Sequence, residues 1–155
     1  MEIYRVALFG HRNLNAHKTV EEKLCKIIPE ITRRNQLVEI FIGREGEFDI
    51  FAASIIKGLK RRGMLENAEL TLVLPYHKKD IEYYEKYYDN LIIPEVAERT
   101  HPKGAIVKRN RYIIEISDLV ICYVEHNYGG AFDAFKYAQQ KGKTVVNLAE
   151  KVNFN

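Results

Sequence analysis

The chain has few of the residues that mark extracellular or membrane proteins. It has two cysteines, Cys25 and Cys122, far apart in the sequence, and no tryptophan. Because Cys122 lies inside an apolar stretch, these thiols indicate a reducing compartment and not a disulfide framework. No apolar run approaches the roughly 20 residues that a bilayer-spanning helix needs, and no signal-peptide pattern opens the chain. We therefore expect a cytoplasmic protein with no membrane partner.

The sequence also lacks the short motifs of several enzyme and cofactor classes. Its five histidines and two cysteines show no His-x-x-x-His or Cys-x-x-Cys spacing, so no metal site is expected. Neither a P-loop nor the dinucleotide fingerprint Gly-x-Gly-x-x-Gly occurs, which argues against classical NAD binding and predicts no cofactor. No Gly-x-Ser-x-Gly elbow marks a serine hydrolase.

A strong excess of one charge is absent as well. The 24 Lys and Arg residues against 21 Asp and Glu leave a net charge of +3, too small to argue for broad nucleic-acid binding. We therefore expect no nucleic-acid partner. The 46% hydrophobic share of 155 residues is enough for one core, so residues 1–155 are predicted to form a single domain.

Apolar runs and amphipathic segments alternate along the chain. Five runs without polar alternation predict buried parallel strands: Tyr4–Phe9, Leu37–Ile42, Glu69–Leu74, Leu119–Val124 and Thr144–Leu148. Apolar residues at helical spacing predict helices over Thr19–Arg33, Phe48–Arg62, Lys108–Ser117 and Ala131–Lys141. This order predicts an α/β fold: a doubly wound, mostly parallel Rossmann-like sheet of about five strands with helices on both faces.

One predicted connection is unusually long. Residues 75–107 separate the third strand from the next helix, and they include Tyr83, Tyr84, Tyr87 and Tyr88. This Tyr-rich insertion either forms a lid whose tyrosines stack on a base, or packs the tyrosines against the rest of the domain. Packing is the more frequent outcome for such spacing.

Ligands of open α/β sheets bind where strands end, and the first two strands end in candidate residues. These are Gly10, His11, Arg12, Gly43, Arg44, Gly46 and Asp49. The glycines permit a close backbone approach to a phosphate or a base. Asp49 either caps the following helix or accepts hydrogen bonds from a ribose or a base. Each segment also fits an ordinary turn with solvated side chains.

Two later segments predict a phosphate site at the same edge. Lys108, Arg109 and Asn110 open a predicted helix, where basic residues oppose the helix dipole, so an anion held there would account for them. The alternative is a solvated basic turn. Gly129, Gly130 and Ala131 join the fourth strand to the last helix, so backbone N–H groups at a helix N-terminus can face an anion.

Together these segments resemble the SLOG superfamily of Rossmann-like domains, which is related to the lonely-guy phosphoribohydrolases and the DprA/Smf DNA-processing proteins. The resemblance is carried by Phe-Gly-His-Arg at 9–12, Gly-x-x-Gly-x-x-Asp at 43–49, Arg-Asn-Arg at 109–111, Ser117-Asp118, and Gly129-Gly130 with Tyr137-Ala138. It extends from Tyr4 to about Leu148 and is greatest for small single-domain bacterial members. It implies a nucleotide-type ligand at the carboxyl edge of the sheet.

The catalytic half of the lonely-guy pattern is not retained. Arg109 falls on the family's arginine position, but the family's catalytic glutamate position holds Lys136. A lysine cannot supply the carboxylate that N-glycoside hydrolysis needs. The resemblance therefore leaves open whether the chain is an enzyme, and no catalytic residue is assigned.

Three functional hypotheses follow. The favoured one is a module that binds a nucleotide or nucleotide-derived small molecule for sensing or sequestration. The alternative is an N-glycoside hydrolase or transferase acting on nucleoside monophosphates, with Asp49, Asp133 or Glu125 as its carboxylate. Contact with single-stranded DNA, in the manner of the DprA relatives, is the least favoured, because the net charge is small. Since SLOG proteins often form homodimers, a homodimer is an open expectation.

Overall fold

A parallel sheet of six strands, in the order β4-β3-β2-β1-β5-β6, forms the centre of the protein. The computed structural model describes residues 2–154, except for the side chains of Glu98 and Lys103. The strands are β1 (Ile3–Gly10), β2 (Leu37–Ile42), β3 (Ala68–Val73), β4 (Asn90–Ile92), β5 (Leu119–Tyr123) and β6 (Thr144–Asn147). All five ladders are parallel, because each crossover between strands carries a helix.

Helices cover both faces of this sheet. They are α1 (His17–Arg34), α2 (Glu47–Arg61), α3 (Ile81–Tyr87), α4 (Glu95–Glu98), α5 (Pro102–Ile116) and α6 (Gly130–Gln140). Side chains of α1, α2 and α3 pack into one apolar cluster, and side chains of α5 and α6 pack into a second. Because both faces are covered, the strands are mostly apolar on both sides. All five residues of β5, for example, are buried.

The predicted α/β, Rossmann-like fold is confirmed, with one strand more than the expected five. The additional strand, β4, is three residues long and lies at the sheet edge beside β3. Asn90 at its start bonds to the Glu69 and Thr71 side chains. A strand of three residues that begins with a polar asparagine is too short to be detected from an apolar sequence pattern.

The predicted start of the helix before β5 is wrong, and the error changes the phosphate argument. Helix α5 begins at Pro102 and not at Lys108, so Lys108, Arg109 and Asn110 lie in its middle. Proline is favoured in the first turn of a helix because its missing N–H needs no partner there. The dipole at the helix N-terminus therefore cannot act at these three residues.

The Tyr-rich insertion packs against the domain. Tyr88 is 3% exposed, and Tyr84 and Tyr87 pack against the first apolar cluster. Tyr83 remains exposed on α3. Of the described side chains in residues 75–107, Ile106 alone lines the cleft at the carboxyl edge of the sheet. Of the two predicted outcomes, packing against the domain is therefore the one found for Tyr84, Tyr87 and Tyr88. The insertion also contributes β4 to the sheet.

Two expectations about compartment can be compared with the structure. Within residues 2–154, no helix is long and apolar enough to cross a membrane. Cys25 and Cys122 are both free thiols. Cys122 lies in the middle of β5, and burial raises its pKa to about 12, so this thiol is unreactive at neutral pH.

Candidate functional site

A cleft of about 130 Å³ opens at the carboxyl edge of the sheet. It lies where β1 has β2 on one side and β5 on the other, the switch point at which open α/β sheets bind ligands. The register aligns Gly10 at the end of β1 with Tyr123 at the end of β5. As a result, the segments that follow these strands meet at one place.

The cleft gathers most of the residues that the sequence predicted. Those that line it are Gly10, Arg12, Gly43, Gly46, Asp49, Arg109, Asn110, Gly130 and Ala131. The predicted residues that do not line it are His11, Arg44, Lys108 and Gly129. Leu8, Phe9, Glu45 and Ile106 also line it and were not predicted. The structure thus places nine predicted residues around one cleft, and their role in binding a ligand stays a prediction.

Arg109 is occupied by partners inside the protein. Its side chain is 3% exposed and donates hydrogen bonds from Nη1 to the Val73 carbonyl oxygen at 2.6 Å and from Nε to Asn110 Oδ1 at 2.8 Å. Its Nη2 forms an ion pair with Glu45 Oε1. Three of the five guanidinium N–H groups therefore already have acceptors within the protein. The geometry makes Arg109 the centre of a buried network.

Asp49 completes this network and carries an unusual proton affinity. It is buried, and its Oδ2 accepts a hydrogen bond from the Glu45 backbone amide at 3.1 Å. Burial, together with the nearby Glu45 carboxylate, raises the pKa of Asp49 to about 7, although Arg109 opposes the shift. A Cβ atom on Gly43 would lie 2.6 Å from Glu45 Oε1. The missing side chain of Gly43 therefore leaves room for the Glu45 and Asp49 carboxyl groups. The sequence had suggested a different reason for this glycine, a close approach to a ligand.

We expect Asp49→Asn to make the protein more stable at pH 8 relative to wild type than at pH 5. The folded pKa of about 7 lies above the unfolded value of about 3.9, so the folded state holds the proton more tightly. The stability that Asp49 contributes is complete below about pH 4 and is lost as pH rises through 7. Asparagine keeps an oxygen for the Glu45 amide and removes the titration, giving a relative gain of about 2 kcal/mol. Urea denaturation of both proteins at the two pH values measures it. An identical stability difference at both values would contradict the buried-carboxyl assignment.

His11 lies outside the cleft, in a stack of aromatic rings. Its ring stacks on His126 with a centroid separation of 3.6 Å and an interplanar angle of 12°. His126 stacks in turn on Tyr128 at 3.8 Å and 17°. The inner ring is 5% exposed and the outer one, Tyr128, is 67% exposed. The three rings form a column from the end of β1 to solvent, which we call the ring stack.

The ring stack is held in place at its buried end. Nε2 of His11 accepts a hydrogen bond from the Glu125 backbone amide at 2.9 Å. Burial, and secondarily the stacked His126, lowers the pKa of His11 to about 4, so the ring is neutral at physiological pH. A neutral His11 ring can stack on an aromatic neighbour without charge repulsion. No sequence motif joins residues 11, 126 and 128, because the sheet register alone brings them together.

The chain that follows Tyr128 begins α6 with an open N-terminus. Gly129 has φ of +92°, a left-handed conformation that glycine adopts without strain. It is the N-cap, and no side chain caps the helix. A Cβ on Gly130 would meet nothing within 4 Å. The first N–H groups of α6 therefore have no side-chain cap among the described residues, and Gly130 and Ala131 line the cleft, where an anion can approach the helix N-terminus.

The last described residues of the chain support the Tyr128 loop. The Asn153 backbone amide donates to the Glu125 carbonyl oxygen at 2.7 Å, and His126 pairs with Asn153 in a parallel bridge. Phe154 packs edge-on against Phe132 of α6, with centroids 5.4 Å apart. The outer part of the ring stack thus rests between the sheet edge and this segment.

The carboxylates considered for catalysis are dispersed. Asp49 lines the cleft, but Asp133 and Lys136 lie in a separate groove between α5 and α6. Glu125 accepts a hydrogen bond from the Tyr123 hydroxyl at 3.3 Å. Arg44 points toward α3, where it donates to the Tyr88 hydroxyl at 3.0 Å.

Neither a family model nor a curated protein matches the chain. Solved structures share its fold, among them two of DprA proteins. DNA processing protein A (DprA) from Streptococcus pneumoniae has a TM-score of 0.64 and 19% identity, covering 92% of this chain and 49% of that one. DprA from Helicobacter pylori has a TM-score of 0.58 and 18% identity, covering 92% and 63%. Its structure is described as giving insights into the unique single-stranded DNA binding mode of that protein.

Both structures belong to the SLOG/Rossmann-like group. This agrees with the resemblance seen in the sequence at the level of fold. The chain spans about half the length of the Streptococcus protein, since it covers 49% of it. Identities of 19% and 18% relate the folds and carry no activity from one protein to another.

Two expectations from the sequence are wrong. The first is a nucleotide-type small molecule as ligand, with N-glycoside hydrolysis as its alternative, and the second is the absence of a nucleic-acid partner. The two DprA structures with this fold are of DNA-processing proteins, and one of them is described by its single-stranded DNA binding. The cleft agrees with the correction, because 130 Å³ is below the roughly 300–1,000 Å³ of usual ligand pockets. The net charge averages over the whole surface, so a small value does not exclude a local nucleic-acid site.

Proposed function

We propose that this protein binds single-stranded DNA at the carboxyl edge of its sheet. The observation that carries the proposal is the ring stack, whose outer member, Tyr128, presents its free face to solvent with the side chain 67% exposed. Proteins that bind single strands without reading their sequence stack bases on exposed aromatic rings beside groups that bind phosphate. The edge of this sheet offers both.

Tyr128 is suited to stacking because its position is already determined. His126 lies 3.8 Å behind the ring, and His11 lies 3.6 Å behind His126. A base placed on the outer face continues a column of parallel rings. Since the tyrosine is held before the strand arrives, little side-chain entropy is lost on binding.

Phosphate groups have donors within the next few residues. The uncapped N-terminus of α6 begins at Gly129 and Gly130, immediately after the stacking ring. Backbone N–H groups and the helix dipole favour an anion there. Arg12 is exposed and lines the neighbouring cleft. It is the cation from the first loop that reaches the same edge, whereas Arg109 is buried in its own network.

The comparisons support this proposal. The Helicobacter DprA structure is described by its single-stranded DNA binding mode, and both DprA structures have this fold. We extend the SLOG assignment to this chain on the strength of that fold and of the sequence motifs. In this proposal Gly10, Arg12, Gly129, Gly130 and Ala131 surround the strand, and Asp49 with Gly43 shapes the floor of the cleft.

We expect Tyr128→Ala to weaken the binding of a labelled oligo-dT strand by about 5- to 150-fold. This range corresponds to the roughly 1–3 kcal/mol that one stacked base contributes. Fluorescence anisotropy at one stated salt concentration measures the change, and Tyr128→Phe should retain binding because the ring is kept.

Tyr83→Ala is the matched control. Tyr83 is 60% exposed on α3. This variant therefore loses a similarly exposed ring away from the ring stack, and DNA binding should not change. Wild-type protein that fails to bind any single strand would overturn the proposal. Equal binding by wild type and Tyr128→Ala would show that the ring stack does not take part in DNA binding.

A further inference from the structure

A groove of about 410 Å³ lies between α5 and α6 and is separate from the cleft. It adjoins the cleft, because Ile106, Asn110 and Gly130 line both. Gly130 is also the first residue of α6, directly after the Tyr128 loop. A linear polymer bound at Tyr128 could therefore extend directly into the groove, since Gly130 borders both.

The groove has an apolar floor and a basic rim. Ile106, Ile114 and Ala134 line it together with Arg111 of α5 and Lys136 of α6. Both cations are exposed, and they stand on the two helices that form the walls. Apolar surface suits the faces of bases, and flanking cations suit phosphates.

The two rim cations are held against rings and not by carboxylates. Arg111 lies over the Tyr137 ring at 4.9 Å, and Lys136 lies over the Phe132 ring at 5.7 Å. Among the described side chains, no ion pair joins either cation to an acidic side chain. Neither cation therefore has a direct carboxylate partner among them.

The surrounding charges favour an anion overall. Lys108, three residues before Arg111, lies on the same side of α5, and Lys141 lies 5.5 Å from the Tyr137 ring. Both are exposed. Two carboxylates oppose them. Asp133 lines the groove, and Glu115 accepts a hydrogen bond from the Tyr137 hydroxyl at 3.1 Å.

We propose that a single strand stacked on Tyr128 continues along the groove between α5 and α6, with its phosphates bound by Arg111 and Lys136. This inference rests on the proposed function and extends it to a second site for the same strand. Helix α6 has 11 residues and is about 16 Å long. The groove therefore adds room for further nucleotides beyond the one on Tyr128.

Strand length provides the test. Fluorescence anisotropy is measured with labelled oligo-dT strands of about 4 and about 16 nucleotides, the range of site sizes in single-strand binding proteins. The variant Arg111→Gln/Lys136→Gln should bind the longer strand about tenfold more weakly and the shorter strand as wild type does. Its salt slope for the longer strand should fall by about 1.4, because two phosphate contacts are lost. Tyr128→Ala should weaken both lengths.

The control removes the same charge elsewhere. Lys18→Gln/Lys26→Gln changes two exposed cations on α1, on the opposite face of the sheet, and should leave both lengths unaffected. Thermal unfolding of each variant verifies that the fold is intact.

The outcomes separate the two proposals. If wild type binds neither length, both are overturned. If wild type binds both strand lengths and the groove variant binds each as tightly as wild type, the groove is excluded as a DNA site. The proposal for Tyr128 is then unaffected. If the groove variant weakens both lengths equally, its cations act at the sheet edge, which also overturns the path along the groove.

Discussion

Arg109→Met should destabilise the protein by about 3–5 kcal/mol. The methionine removes a guanidinium that is 3% exposed and leaves Glu45 and Asp49 as close carboxylates without a cation. Breaking a buried ion pair by removing one partner has an effect of this size, because the remaining charge is poorly solvated. The Val73 carbonyl oxygen also loses its donor.

Urea denaturation at pH 7 measures the loss, and two further variants identify its origin. Adding Glu45→Gln to Arg109→Met should recover part of the stability, since the uncompensated carboxylate is then gone, giving a non-additive double-mutant cycle. Arg111→Met, two residues later on the exposed side of α5, should change stability by less than about 1 kcal/mol. A stable Arg109→Met protein that had lost DNA binding would instead make Arg109 a phosphate ligand.

Gly10→Ala should destabilise the protein by about 3 kcal/mol. An added Cβ would lie 2.0 Å from Phe48 Cγ, and Phe48 is completely buried in the first turns of α2. Neither group can move away, because Gly10 is paired with Tyr123 in the sheet and α2 is packed on the core. Overpacking of this kind usually costs about 1–3 kcal/mol and sometimes more.

For a chain of this length, such a loss lowers Tm by about 6–12 °C, which thermal unfolding followed by circular dichroism can measure. Gly58→Ala is the control. Gly58 lies inside α2 with nothing within 4 Å of an added Cβ, so alanine should stabilise the helix by about 0.5–1 kcal/mol. If both alanine variants were equally stable, the close approach of α2 to β1 would be disproved.

Much of the fold and the position of the site were predictable from the sequence. The five apolar runs correspond to β1, β2, β3, β5 and β6, since strands covered on both faces must be continuously apolar. Parallel strands end at one edge, so the glycine-containing segments after β1 and β2 and before α6 had to meet there. Glycines 10, 43, 46 and 130 do line one cleft.

The rest depended on contacts between residues distant in the sequence. The basic side chain of Arg109 led us to expect a phosphate partner, and the structure pairs it with the protein's own Glu45. The interpretation of residues 108–110 as a helix start failed because Pro102 begins α5 earlier. Neighbouring residues in a sequence do not reveal which opposite charge the fold will place beside an arginine.

The sequence by itself determined the α/β class, the order of the five longer strands, and the edge of the sheet where most of the candidate residues collect. Local polarity and backbone preferences are sufficient for these features. The tertiary structure alone decided that Arg109 is buried, that Asp49 holds its proton near neutral pH, and that His11, His126 and Tyr128 form one column of rings. Burial and stacking join distant positions, such as residues 45 and 109 or residues 11 and 126, and no pattern within one segment can encode them.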